Sequence, residues 1–163
     1  MQEYTVRVYD DVTEWYQNGK YHRLDGPAIE CANGNKEWFQ NGKPHRLDGP
    51  ACEYANGDKI WYQNGKYHRT DGPAIEHSDG GKEWFQNGEC HRIGGPAVEL
   101  SDGIKEWYQN GGLHRTDGPA VECSDGYVEY WENDEEIPNP NETKEMTVKE
   151  ISDKLGYNVK IVK

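Results

Sequence analysis

The sequence predicts an all-β protein, an elongated single-sheet meander of tandem 23-residue β-hairpin repeats with a small C-terminal helix-strand module. Three observations predict it. Trp15, Trp38, Trp61, Trp84 and Trp107 recur every 23 residues, each followed by Tyr or Phe and then Gln-Asn-Gly, and His22, His45, His68, His91 and His114 keep the same period. Self-similarity at such a period marks a repeat array rather than a globule around one core. Asn-Gly is the strongest two-residue hairpin signal, because a type I′ turn needs positive φ at both central positions. Finally, only 33% of the 163 residues are hydrophobic and the mean hydropathy is -1.13, whereas there are six Trp and eleven Tyr. Thin, aromatic-rich layers suit that composition better than a deep interior does.

The elements follow in order. Residues 1–13 form an N-terminal capping strand. Residues 14–136 hold five full repeats and a decayed sixth, which starts at Glu129-Tyr130-Trp131 and dissolves into Asn133-Asp134-Glu135. In each unit two Gly-bearing turns separate short strand-like runs: Asn41-Gly42 follows residues 36–40 and Asn56-Gly57 follows residues 51–54. Residues 137–143 are a linker, since two prolines among asparagines favour extended or turn conformations. Residues 144–163 are a small module. There Thr147 to Glu150 spells a capping box, Val148, Ile151 and Leu155 share a helical face, and Gly156 stops the helix. Alternation from Asn158 to Lys163 predicts a short strand.

Two-residue turns at both positions set a register. Gln40 then faces Lys43, Phe39 faces Pro44, Trp38 faces His45 and Glu37 faces Arg46, while Cys52 faces Trp61 across the other turn. The packed face carries Trp, His, Leu47 and its equivalents, and the series Ile29, Cys52, Ile75, Val98 and Val121. The opposite face carries Glu37, Arg46 and Glu30 beside Tyr16, Phe39, Tyr62, Phe85 and Tyr108. Equivalent residues recur about every 10 Å, giving a sheet on the order of 50 Å long.

A net charge of -12 argues against a general nucleic-acid binder or a binder of anionic membranes, both of which need a cationic footprint. The acid is concentrated in repeats four and five and in the run from Glu129 to Glu136. Cys31, Cys52, Cys90 and Cys123 form no Cys-x-x-Cys pair and fall at three phases of the repeat, so neither a disulfide framework nor a zinc site is expected. No targeting segment and no run of about 18 apolar residues is present, so the expectation is a cytoplasmic protein without a membrane span.

Five histidines about 10 Å apart cannot share one ion, whose ligands lie near 2 Å from it. His22, His45, His68, His91 and His114 therefore read, with the five tryptophans, as structural cross-strand partners, and no metal or other cofactor is expected. The Asp-Gly-Pro segment reads as a turn in which Asp bonds to nearby backbone, Gly permits unusual φ and Pro fixes the next residue. Facing Glu and Arg form a ladder, from which Ile60 removes the partner of Arg69 and Gly94 removes an Asp. Every candidate acid, base and arginine occurs about five times, whereas an active site needs one asymmetric pocket, so no catalytic residue is assigned. The candidate binding residues are Tyr16, Arg23, Phe39, Arg46, Tyr62, Arg69, Phe85, Arg92, Tyr108 and Arg115, of the residue types that dominate binding hot spots.

Trp-x-x-Asn-Gly-Lys-x-His, followed by Gly and then by Ser/Ala-Asp/Asn-Gly at a 23-residue period, resembles the MORN repeat over residues 14 to about 131. It departs from that pattern in carrying Arg directly after His, where Gly is usual, and in lacking a Tyr-x-Gly segment before Trp. The His-Arg-x-Asp-Gly-Pro-Ala variant is similar to repeats in proteins of tailed phages and giant viruses. The C-terminal segment resembles a short terminal module of tailed-phage proteins. TVKEISDKLGY also looks like the first helix of a helix-turn-helix, but only seven residues follow Gly156, too few for a recognition helix. The resemblance implies tandem hairpins in a curved sheet that serves as a scaffold or interaction surface, with no catalytic residue of its own.

The function expected is a non-enzymatic viral interaction protein that binds a protein partner, such as a host or host-defence factor, through the aromatic/Glu/Arg face. Two alternatives belong to other classes: sequestering of a small phosphorylated, nucleotide-like signalling molecule, and mimicry of nucleic acid by the acidic end. A homodimer covering one sheet face is a further partner compatible with the sequence.

Overall fold

The computed structural model describes residues 3–142 and 146–160. Antiparallel strands form one sheet of 14, in chain order from Thr5–Val8 to Glu135–Ile137. Each repeat gives this sheet two short strands, such as Cys52–Glu53 and Lys59–Ile60, and holds a second hairpin beside it, such as Phe39–Gln40 with Lys43–Pro44. The chain leaves the long sheet at Trp38, Trp61, Trp84 and Trp107. With 13 strands on its main path, the long sheet spans on the order of 60 Å at about 4.8 Å per strand.

The two turns of a repeat differ. At Asn41-Gly42 both residues have positive φ, 54° and 79°, and Gln40 pairs with Lys43 and Phe39 with Pro44, as two-residue type I′ turns require. At Asn56-Gly57 only the glycine is left-handed, with φ 101°; Tyr54 N–H donates to Asp58 O at 3.0 Å and Gly57 N–H to Tyr54 O at 2.9 Å. Ala55, Asn56 and Gly57 thus make a three-residue loop closed by a left-handed glycine. The extra residue moves the register by one, so that Cys52 faces Ile60 and not Trp61.

This slip rearranges both faces. Along one runs the directly paired row Glu14, Ile29, Glu37, Cys52, Ile60, Ile75, Glu83, Val98, Glu106, Val121 and Glu129. Along the other run Glu30, Lys36, Glu53, Lys59, Glu76, Lys82, Glu99, Lys105 and Glu122. The aliphatic series therefore lies with the Tyr and Phe rings, contrary to the expectation that it shares a face with Trp. Ile60 sits between Cys52 and Ile75, two buried side chains, where a carboxylate would have to be desolvated. Burial already raises the neighbouring Glu37 above the ordinary carboxylate range.

The core is thin. Ala28, Ala51, Ala74, Ala97 and Ala120 are fully buried where the next strand begins after Gly-Pro. Successive repeats are stitched on both margins. The Nδ1 atoms of His22, His45, His68, His91 and His114 accept the N–H of Asn41, Asn64, Asn87, Asn110 and Asn133, each at 3.1 Å. On the other margin Ala55 N–H donates to Asn35 Oδ1 and Ser78 N–H to Asp58 Oδ1.

The helix Val148–Leu155 has the capping box at Thr147 and Glu150 and ends at Gly156 with φ 73°. Residues 158–160 form no strand, because Val159 N–H turns back to Ser152 Oγ at 2.9 Å. The rest of that predicted strand lies outside the described residues.

Candidate functional site

Each repeat builds one cage around its arginine. In repeat three Arg69 Cζ lies 3.9 Å from the centre of the Trp61 ring. Its Nε donates to Asp71 at 2.9 Å, and its Nη1 donates to Pro73 O at 3.1 Å and Glu76 at 2.8 Å. Arg23, Arg46, Arg92 and Arg115 stack on Trp15, Trp38, Trp84 and Trp107 at 3.7 to 4.1 Å. The anticipated Arg46–Glu37 pair is absent: Arg46 bonds Asp48 and Glu53, whereas Glu37 pairs with Ile29 and Cys52 on the opposite face. Arg69 has the same Asp and Glu partners as its equivalents, so Ile60 deprives it of nothing.

The glycine of Asp-Gly-Pro has a steric role. Gly26, Gly49, Gly72, Gly95 and Gly118 are absent from the positive-φ residues, contrary to the conformational reason expected. A Cβ at Gly72 would stand 2.9 Å from Arg69 Cζ, and at the equivalents 2.8 to 3.1 Å from theirs. The guanidinium lies between an indole ring and a bare backbone. Repeat four lacks the Asp: Gly94 takes φ 81°, and the Arg92 side chain is 31% exposed against 20 to 22% for the others.

Between successive cages lie open clefts. The first, of about 540 Å³, has Arg23 to Pro27 as one wall and Trp38, Gln40, His45, Arg46 and Asp48 as the other. The next three, of about 490, 320 and 410 Å³, repeat this lining at Trp61, Trp84 and Trp107. Adjacent clefts share a wall: Arg46, Leu47 and Asp48 line the first two, and Arg69, Thr70 and Asp71 the second and third. Leu47 and Ile93 on the rims are 76% and 84% exposed.

The expected binding residues divide between the faces. Tyr16, adjacent to Trp15 in the strand Val12–Gln17, points away from Arg23. Its ring stacks on Tyr21 at 4.6 Å, and Tyr21 meets Phe39 at 5.4 Å; Tyr62, Tyr67 and Phe85 repeat the arrangement at 4.6 and 5.1 Å. Glu14 accepts the hydroxyls of Tyr16 and Tyr21, and burial holds the Tyr62 and Tyr108 hydroxyls above their ordinary range. The same face holds Cys52, whose thiol burial pushes up to about 12. Burial likewise pushes Cys90 up to about 12, and all four cysteines are free. Among the described residues no cluster of His, Cys, Asp or Glu is arranged to hold a metal ion, and no helix is long and apolar enough to cross a membrane.

Sequence reasoning missed the cleft amides Gln40, Gln63, Gln86 and Gln109 and the rim carboxylates Asp25, Asp48, Asp71 and Asp117 as surface groups. Their signal was the 23-residue recurrence itself, which places one amide in each cleft and one carboxylate in every full repeat but the fourth. Fold and site define an antiparallel β-hairpin repeat protein whose surface chemistry recurs with every repeat. No family model and no curated protein matches the chain.

Proposed function

We propose that this is a non-enzymatic interaction scaffold, of the MORN-like viral type its repeats resemble, which binds a protein partner along the cleft face. The carrying observation is the unbroken row of four clefts with exposed Leu47 and Ile93 on their rims. Polar clefts with apolar groups on their rims offer a partner both hydrogen-bonding and apolar contact. The opposite face uses its rings to cover the Ile/Cys/Val row. Each arginine is occupied at Nε or Nη1 by internal partners, which favours a protein partner over a sequestered nucleotide that would need free guanidinium groups.

Affinity capture with two variant sets tests this. Leu47→Ala, Gln63→Ala and Gln86→Ala together should abolish capture of the partner held by the wild-type chain. Phe39→Ala, Tyr62→Ala and Phe85→Ala, at a temperature where the protein is folded by circular dichroism, should retain it. The reverse pattern assigns the interface to the ring face.

A further inference from the structure

The spacing, chemistry and rim charge of the clefts specify the form of the partner. Building on the scaffold reading, we propose that the row binds a peptide segment in the polyproline II conformation with a basic residue at every third position.

Spacing decides the conformation. Each repeat adds two strands to the long sheet, so clefts recur about every 9.6 Å. A polyproline II helix rises about 3.1 Å per residue with three residues per turn, returning a side chain to the same face every ~9.3 Å. Across four clefts the mismatch grows to only about 1 Å. A β-strand covers a similar distance in three residues but turns the third side chain to the opposite face. An α-helix needs seven residues and about 10.5 Å, and its 10–12 Å diameter suits a broader trough.

The cleft walls match such a ligand. Polyproline II has no internal hydrogen bonds, so its carbonyls accept from outside. Gln40, Gln63, Gln86 and Gln109 stand one per cleft, and among the described residues their amides have no hydrogen-bond partner. Each cleft also has an indole wall, the surface on which proline-rich segments dock.

Charge sets the period. The arginines are neutralised beneath the surface, whereas the Asp25, Asp48 and Asp71 side chains are 79%, 86% and 81% exposed, with only Oδ1 engaged by Arg Nε. Three carboxylates one cleft apart call for three basic residues three positions apart. Gly94 and the exposed Ile93 interrupt the acidic rim at repeat four, so the first three positions of the series carry the charge contribution.

Fluorescence anisotropy of the full chain tests this with a labelled dodecapeptide of four Pro-Pro-Arg units. The comparison is a peptide of the same composition whose four arginines are contiguous. The periodic peptide should bind about tenfold more tightly, a difference of about 1.4 kcal/mol. Gln63→Ala with Gln86→Ala should weaken it about tenfold, as should Asp48→Asn with Asp71→Asn, a loss the fold tolerates natively at Gly94. Equal binding of the two peptides, no binding of the periodic one, or binding undiminished in both variants overturns the proposal. If partner capture depends on the cleft face but the periodic peptide does not bind, the peptide class is wrong and the scaffold reading stands; capture indifferent to that face sinks the scaffold reading itself.

Discussion

Arg69 brings three kinds of interaction to one guanidinium: an indole face at 3.9 Å, two carboxylates, and a carbonyl. Exposed ion pairs contribute only about 0.2–1 kcal/mol each, whereas a partly desolvated cation over Trp contributes about 1–2 kcal/mol. The stack therefore outweighs either salt bridge taken singly, and Gly72 is needed because a Cβ would displace the cation from it. Gly72→Ala should destabilise by about 1–2 kcal/mol in urea titrations, yet be nearly neutral in an Arg69→Ala background. Equal costs in both backgrounds would place the glycine's role elsewhere. The carboxylates bear on pH. Hydrogen bonding from arginine holds Asp25, Asp48, Asp71 and Asp117 below the usual carboxylate value. The folded chain thus binds fewer protons there than the unfolded one. Their contribution is present above the ordinary Asp value of about 3.9 and is lost as pH falls through the lowered ones. Glu37 acts oppositely, since burial raises it: its contribution is present at lower pH and is lost as pH rises through its raised value. Unfolding curves between pH 2 and 4 should show stability falling with acid, less steeply in Asp48→Asn/Asp71→Asn.

The two hairpin turns of a repeat are both spelled Asn-Gly in repeats one and two but are different elements. In the side hairpin Asn64 holds φ 53°, which costs an ordinary L-residue about 1–2 kcal/mol; Asn56 in the long-sheet turn is not left-handed. Asn64→Ala should accordingly lower stability by about 1 kcal/mol and Asn56→Ala by well under that, while Gly57→Ala and Gly65→Ala should both be costly. Thermal melts of the four variants check the ranking. This difference also explains what could be read from the sequence. The period, the hairpins, the side-hairpin register and the helix caps followed from residue types alone. The second turn did not, because a left-handed glycine after Asn serves a two-residue and a three-residue loop equally well. One residue of loop then exchanges the faces, putting Ile29 with Phe39 rather than with Trp38. The site inherited the error: Glu37 and Glu53 are both plausible partners for Arg46 by sequence, and only the register selects Glu53.

Across the whole molecule each repeat touches its neighbours through the same few links: strand pairing, the His-to-Asn bond and the hydrogen bond from the arginine's backbone N–H to a carbonyl of the following repeat, such as Arg69 to Phe85. Stability in such an array is approximately a sum of repeat and nearest-neighbour terms, with no single core to lose. Removing residues 61–83 joins Ile60 to Trp84 in phase, and Asn87 then stands where Asn64 did to meet His45. The shortened chain should fold with an unchanged strand signal per residue in circular dichroism. Its urea m-value should fall by roughly one-seventh, following the surface exposed on unfolding. Collapse to an unfolded chain would mean that the central repeats form one cooperative unit rather than exchangeable ones. The deletion also brings function to the same scale, because it fuses the second and third clefts into one, walled by Arg46 to Gly49 and by Trp84 to Ile93, and leaves the first and last intact. A ligand read cleft by cleft should lose affinity in a step for a peptide of four units and none for a peptide of three, whereas a partner fitted to one particular repeat would respond to its identity and not to the count.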